Sequence, residues 1–474
     1  MKPNRVWWMA LAAGVGAAIA TINWQNDDPD YWWHIANAAY VLAHHGFPIH
    51  SPWLFGMAAN HVWTAAEWGS EMWMYFSGRA GTVWICVGLF ILICVITGLR
   101  IRNLGTTNGI AAMLGAWGIA LVSWGELAAR DQLITTLGVA GLAWFCEWQE
   151  RGGKIQRWMW GALILGSVAW ANLHPGFVAG FGVWGVAILY WSWRKYRKHP
   201  VAVDLAANWR LIILSGLATL ANPFTWKLWI YVITTLKGGG TQFVQEWQSP
   251  NFHWITFAPL LLFILVLPFV WTKVSAIAKI WIMVFVAATL VSGRNEELLA
   301  AVGVAPVIAA AAQRWNGVRE PKVLWLAAGS ILMLLALAQV GIAAVTPLSN
   351  NLQPVTLTTY MQQHYARGWH IFVDYGSAGY VLEHLPYDKV WLYGDNALTG
   401  ATILREYNEI IDLQPGWERQ LRQVQAGLAI LNRQDPLTQA LMLIPQCRVV
   451  RGDAHWIVIV PRGNSCPLGQ PGVD

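Results

Sequence analysis

Eleven apolar stretches alternate with polar loops along the chain, near 6–23, 82–99, 109–126, 133–148, 158–172, 177–193, 208–222, 255–272, 279–293, 297–313 and 323–346. Each is close to the ~20 residues that carry an α-helix across a roughly 30 Å hydrocarbon layer. Gly and Pro shorten or interrupt several of them. Beyond 347 the pattern changes to short runs. Helices are predicted at Leu357–Ala366, Trp417–Val424 and Leu437–Leu443, and strands at His370–Asp374, Lys389–Tyr393 and Leu428–Leu431. Arg448–Arg451 and Trp456–Val460 read as a closing hairpin around Gly452-Asp453. The expected architecture is an all-α polytopic membrane bundle of about eleven transmembrane helices over 1–346, followed by a small α/β domain over 347–474.

Composition agrees with the bundle. Hydrophobic residues make up 56% of the chain and charged ones 12%, about half the charge of a soluble domain. The 33 Trp exceed what a core needs and suit anchoring at headgroup level. Loop charges orient the bundle. With Lys2 and Arg5 inside, seventeen Lys and Arg fall in inner loops, among them Arg100, Arg102, Arg314, Arg319 and Lys322. Only Arg79, Arg130, Lys227, Lys237 and Arg294 fall outside. The N-terminus is therefore cytoplasmic and the tail extracytoplasmic. The net charge of +6 reflects cytoplasmic anchoring and not a nucleic-acid surface. Ala18-Ile19-Ala20 resembles a signal-peptide cleavage site, but the apolar run is long and is expected to stay as a helix. Cys86, Cys94 and Cys146 lie in apolar stretches, whereas Cys447 and Cys466 lie in the tail, where an extracytoplasmic compartment permits a disulfide.

The polar chemistry gathers in the outer loops. The first, 24–81, opens with Asp27-Asp28-Pro29-Asp30-Tyr31-Trp32-Trp33-His34. Carboxylates this near to hydrocarbon are costly and mark a site by default. Tyr31 to His45 is helix-compatible, with Trp32, Ile35, Ala39 and Leu42 on one face. A second amphipathic stretch carries Glu67 and Glu71 four residues apart, on one helical face. Later loops hold Glu126, Arg130 and Asp131, then Asn172-Leu173-His174-Pro175, Asn222-Pro223, Lys227, Lys237, Glu246-Trp247, and Arg294.

The run Asp28-Pro29-Asp30-Tyr31-Trp32-Trp33-His34 resembles the first-loop signature of bacterial integral-membrane glycosyltransferases of the GT-C type. Glu67-Trp68 with Ser70-Glu71, Ala171-Asn172-Leu173-His174, Asn222-Pro223 and Glu246-Trp247-Gln248-Ser249-Pro250 follow in the matching order. The resemblance implies a polyprenyl-phosphate-linked sugar donor and an inverting transfer at the outer face of the cytoplasmic membrane. It also implies a catalytic carboxylate in the first outer loop, which falls here on Asp28 or Asp30. Many relatives carry two adjacent acids there, and this chain spaces them as Asp-Asp-Pro-Asp.

Such a transfer needs a carboxylate to take the acceptor proton and a cation or metal to stabilise the departing phosphate. Arg294 is the first candidate cation, with Lys227, Lys237 and Arg130 behind it, and His174 and His34 as donors to phosphate or sugar. Glu67, Glu71, Asn172, Glu246 and Trp247 are expected to support the site or the acceptor. For the cations other than Arg294 the alternative is an interfacial anchor. Glu126 and Asp131 can equally pair with Arg130. Asp28, Asp30 and Glu246 are the carboxylates a divalent cation would use. Asp374-Tyr375-Gly376 and Tyr393-Gly394-Asp395-Asn396 read as loops at strand ends. No nucleotide-binding glycine pattern, P-loop or Ser-His-Asp arrangement occurs, which argues against a soluble nucleotide-sugar donor on the cytoplasmic side. The competing readings are a transporter or flippase of a lipid-linked saccharide, which would place charges at mid-membrane, and a glycan polymerase or ligase.

Overall fold

The computed structural model of the protein describes residues 5–25, 28–237, 240–313, 322–365, 368–463 and 465–469. Asp27, Lys2, Arg314 and Arg319 lie outside the described residues. The chain forms two compact units. One comprises Met1–Asn26, Ser77–Trp226 and Glu246–Val345, and the other Asp27–Phe76, Lys227–Gln245 and Thr346–Asp474. Most of the long first loop is thus grouped with the tail, in place of the single cut near 346 that hydropathy suggests.

In the first unit each apolar stretch is helical. The helices are Arg5–Thr21, Trp68–Asn103 (beyond a break at Gly78), Gly109–Val122, Gln132–Glu150, Arg157–Leu173, Phe177–Tyr196, Leu205–Ala218, Ala258–Val270, Ala276–Val291, Glu296–Ala312 and Lys322–Val345. Among the described residues four spans, Trp68–Asn103, Ile255–Lys273, Gly293–Ala312 and Lys322–Val345, are long and apolar enough to cross a membrane. Small residues let backbones approach where lipid gives no hydrophobic drive for association. A Cβ at Gly14 would strike the Met113 backbone, and one at Gly16 the backbone of Leu332 and Met333. Ala140, Ala143, Val183, Trp184, Ala187, Trp191, Trp281, Ala301 and Val302 form one core cluster.

Arg100 corrects the loop-charge reading. Hydropathy made it an inner-loop anchor, but it is fully buried in the last turns of Trp68–Asn103. Its guanidinium grips both Glu147 oxygens, at 3.0 Å from Nε and 2.8 Å from Nη2. It also donates to the Ala301 carbonyl and, at 3.0 Å, to that of Val302. Pro306 lies inside Glu296–Ala312 and has no N–H to offer the carbonyl four residues back. That carbonyl is Val302, and Arg100 supplies the missing donor.

The second unit is built on a five-stranded mixed sheet. Its strands are β1 (His370–Val373), β2 (Lys389–Val390), β3 (Leu428–Asn432), β4 (Cys447–Gly452) and β5 (Trp456–Pro461), in the order β2-β1-β3-β5-β4. β2, β1 and β3 are parallel, whereas β3–β5 and β5–β4 are antiparallel. β1 and β3 are nearly continuous apolar runs, as strands covered on both faces must be. Trp53–Phe55 of the first loop extends the sheet. Val390 donates to the Trp53 carbonyl at 2.8 Å, and Phe55 donates to the Val390 carbonyl at 3.2 Å, which covers an otherwise open edge. Cys447 and Cys466 are joined by a disulfide. The helices expected near 357, 417 and 437 occur as Val355–His364, Trp417–Val424 and Pro436–Met442. Two segments read as loops instead open helices, Tyr375–His384 and Asn396–Ile411. Asp374 caps the first by accepting from Gly376 N–H, and Asp395 caps the second by accepting from Ala397 and Leu398 N–H.

Candidate active site

The predicted site residues fall into two groups, one in each unit. In the bundle unit the loop after Gly109–Val122 carries Arg130, the loop ahead of Ala258–Val270 carries Glu246 and Trp247, and the turn before Glu296–Ala312 carries Arg294. Glu246 joins them, with one oxygen 2.5 Å from Arg130 Nη1 and the other 2.5 Å from Arg294 Nη1. Arg294 stacks over the Trp247 ring at 5.0 Å. Backbone links hold the loops in register: Gly293 N–H donates to the Gln248 carbonyl at 2.8 Å, and the Gln132 amide donates to the Arg294 carbonyl at 3.3 Å.

Burial would raise the Glu246 carboxyl, but Arg294 and Arg130 outweigh it and hold it at about 2. With both oxygens gripped by guanidiniums, Glu246 does not fit the cation-ligand role weighed for it. Two guanidiniums against one carboxylate leave net positive charge. Glu126, in the loop beside them, is pushed the other way. Burial first, and then the neighbouring Glu246 charge, raise it to about 8, so it is largely protonated at neutral pH. A carboxyl raised in the folded state favours folding while protonated. Its contribution is fully present below about 4.5 and is lost as pH rises through about 8. Between pH 5 and 9 the thermal stability of the parent is therefore expected to fall more steeply than that of Glu126→Gln, which has no such proton to lose. Equal slopes would show that Glu126 does not titrate in this range.

His174 ends Arg157–Leu173. Its Nδ1 accepts from Gly176 N–H at 2.9 Å and lies 2.8 Å from Thr135 Oγ1, which in turn accepts from Trp170 Nε1 at 3.1 Å. Donors on Nδ1 assign the ring proton to Nε2, so His174 presents an N–H donor. Asn172 ties helix ends together by donating to the Val168 and Ala221 carbonyls, at 2.8 and 2.9 Å. Glu297, which the sequence reading passed over as part of an apolar stretch, accepts from Thr136 Oγ1 at 2.6 Å.

In the second unit the helix Asp30–His44 begins at the acidic run. Asp28 accepts from Asp30 N–H at 3.0 Å, just ahead of the first turn. Asp30 accepts from Trp33 Nε1 at 3.0 Å. The buried face holds Tyr31, Trp33, His34, Ala36, Asn37 and Ala38, while the apolar face predicted from sequence, Trp32, Ile35, Ala39 and Leu42, is part to largely exposed. Polar residues win the buried side because they are paired there. His34 lies 3.4 Å from Glu71 and 3.7 Å from Glu67, and Asn37 donates to Glu71. Glu67 and Glu71 thus meet one histidine, although Glu67 stands just ahead of the helix that carries Glu71. Lys227 and Lys237 stand apart, exposed at the two ends of the helix Lys227–Lys237.

The tail fixes the acidic helix from the other side. A Cβ at Gly394 would collide with the Asp30 carboxylate and lie 2.8 Å from Trp33 Nε1. A Cβ at Gly379 would lie 2.8 Å from the Pro29 carbonyl. Trp63 Nε1 donates to Asp395 at 2.9 Å, and His61 Nδ1 to the Leu398 carbonyl at 2.6 Å. Sequence pattern carried no signal for Gly394 as a neighbour of Asp30, because the contact bridges more than three hundred residues. Gly394→Ala is expected to displace the Asp30 side chain while leaving the sheet intact. A drop in turnover with unchanged thermal unfolding would bear this out, and unchanged turnover would contradict it.

Apolar helices and sheet define the class: a mostly helical membrane protein with a small C-terminal mixed sheet. Two sets of solved structures share that fold. Archaeal oligosaccharyltransferase AglB from Archaeoglobus fulgidus, in complex with an inhibitory peptide and a dolichol-phosphate, matches with a TM-score of 0.58 at 10% identity, over 90% of this chain and 69% of that one. ArnT from Cupriavidus metallidurans, bound to undecaprenyl phosphate, matches with a TM-score of 0.53 at 12% identity, over 98% of this chain and 100% of that one. A scan of protein-family models and a search of curated proteins find no match.

Proposed function

We propose that the protein is an inverting glycosyltransferase. It moves a sugar from a polyprenyl-phosphate-linked donor to a glycan, lipid or protein acceptor at the outer face of a bacterial cytoplasmic membrane. The observation that carries this reading is the Arg130–Glu246–Arg294 clamp with Trp247 beneath Arg294. A carboxylate that holds two guanidiniums in fixed positions, with one positive charge left over, is suited to a phosphate monoanion or to the charge that develops on a leaving phosphate. The structural neighbours AglB and ArnT carry dolichol-phosphate and undecaprenyl phosphate, which supports the same ligand class here.

In the proposed step a first-loop carboxylate takes the proton of the acceptor hydroxyl, whose oxygen attacks the anomeric carbon from the face opposite the phosphate. The bond between that carbon and the phosphate oxygen breaks, and its electron pair stays on the phosphate, where Arg294 and Arg130 stabilise it. His174 Nε2–H is a donor for the phosphate or sugar. Asp28 is assigned as the base and Asp30 as a positioning residue, since the Asp30 carboxylate is held by Trp33 and closed in by Gly394. The N-terminus is taken as cytoplasmic and the tail as extracytoplasmic, from the loop-charge asymmetry.

The test is Asp28→Asn beside Asp30→Asn, assayed with a purified polyprenyl-phosphate sugar. Loss of the base costs about 10²–10⁴ in turnover, so Asp28→Asn is expected to fall by that factor with donor binding retained. If both substitutions left transfer intact, the assignment of this loop would be wrong.

A further inference from the structure

The helix Lys227–Lys237 has two apolar faces, and packing within its unit accounts for one of them. Leu228 and Val232, one turn apart, are buried. Ile230, on the opposite side, and Ile233 and Leu236, on the flank between, are 48%, 47% and 62% exposed. With the half-buried Trp229 they recur at helical spacing to form a second stripe. Lys227 and Lys237, both exposed, stand at its two ends. An exposed stripe of this kind on a short helix calls for an occupant.

The pattern specifies one. Branched aliphatics flanked by a Trp and terminal lysines are the composition of a helix that lies in the membrane interface, with its apolar side below the headgroups and its ammonium groups among them. The chain also arrives from an apolar helix: eight residues, 219–226, separate Lys227–Lys237 from Leu205–Ala218. We infer that the Ile230–Ile233–Leu236 face of Lys227–Lys237 inserts into the headgroup–acyl boundary of an anionic leaflet, with Lys227 and Lys237 meeting lipid phosphates. This makes the helix an anchor for the segment that leads to Glu246, and it holds whether or not the chain transfers sugar.

The test uses the full chain in nanodiscs containing anionic lipid, with an environment-sensitive fluorophore on Ile233→Cys or, as a control from a different side of the helix, on the exposed Thr234→Cys. The cysteines outside the disulfide, Cys86, Cys94 and Cys146, are buried, which directs labelling to the introduced thiol. An inserted helix lies roughly 5–10 Å into the boundary. The Ile233 label is therefore expected to be quenched by spin-labelled acyl chains and shielded from iodide, and the Thr234 label the reverse. Iodide quenching of Ile233 equal to that of Thr234 would overturn the inference. So would shielding from both quenchers that disappears on dilution, which would mean a second copy of the chain covers the face. Each basic residue near an anionic surface favours the bound state by about fivefold. Lys227→Glu combined with Lys237→Glu should accordingly move the Ile233 label toward iodide in anionic discs, and no change would contradict the anionic preference.

Discussion

Arg294→Met is expected to lower sugar transfer by about 10²–10³-fold, the usual cost of removing one preorganised group that stabilises developing negative charge. Three contacts make this side chain hard to replace. It binds Glu246 at 2.5 Å, stacks on Trp247 at 5.0 Å, and sits on a turn whose neighbour Gly293 is hydrogen-bonded to Gln248. Arg294→Lys keeps the charge but loses the planar fork that reaches carboxylate and phosphate together, so it should recover only part of the loss. The split of kinetic parameters identifies the role. A group that stabilises the leaving phosphate lowers kcat, whereas one that only binds the donor raises KM. Arg294→Met with a changed KM and unchanged kcat would demote Arg294 to donor binding.

The second large effect is on stability. Arg100→Met is expected to destabilise the bundle by about 3–5 kcal/mol, because it strands Glu147 as a buried, unpaired charge. Glu147→Met strands Arg100 in the same way. The double variant Arg100→Met with Glu147→Met should be milder than the two effects added, since no lone charge is left. What remains is the Val302 carbonyl that Pro306 cannot serve and Arg100 does. Pro306→Ala restores a donor four residues on, so it should stabilise the double variant more than it stabilises the parent. Thermal unfolding of the four proteins in one detergent measures this coupling. Strictly additive effects would show that Arg100 does not compensate for the proline.

Much of the fold can be read from hydropathy alone, because a bilayer demands long apolar helices and little else in the sequence meets that demand. All eleven stretches are helical, including the one after Arg294. The tail was legible where strands are continuous apolar runs, as at His370–Val373 and Leu428–Asn432. It was misread at Tyr375–His384 and Asn396–Ile411, where an aspartate with a nearby glycine looked like a turn. Those aspartates are N-caps, and the same residues serve turns and helix starts for the same hydrogen-bonding reason. The site was legible as an inventory and not as pairings. Arg130, Glu246 and Arg294 were all singled out, but their separation in sequence hid that one carboxylate holds both guanidiniums. Arg100 was misassigned because a charge at the end of an apolar run looks the same whether it faces headgroups or a buried glutamate. Asp30 and Gly394 illustrate the same limit, a steric fit that only the folded chain brings together.

The buried Arg100–Glu147 pair is the type of feature a transporter would use, so sugar transfer and lipid translocation need to be separated by experiment. The most direct measurement supplies the purified chain, in liposomes, with a polyprenyl-phosphate sugar labelled at the anomeric carbon and a candidate acceptor, and follows that carbon by NMR. The account predicts cleavage of the bond to phosphate, appearance of the sugar on the acceptor with inverted anomeric configuration, and loss of both with Asp28→Asn. Movement of the intact lipid-linked sugar across the bilayer, with the bond to phosphate unbroken, would contradict it.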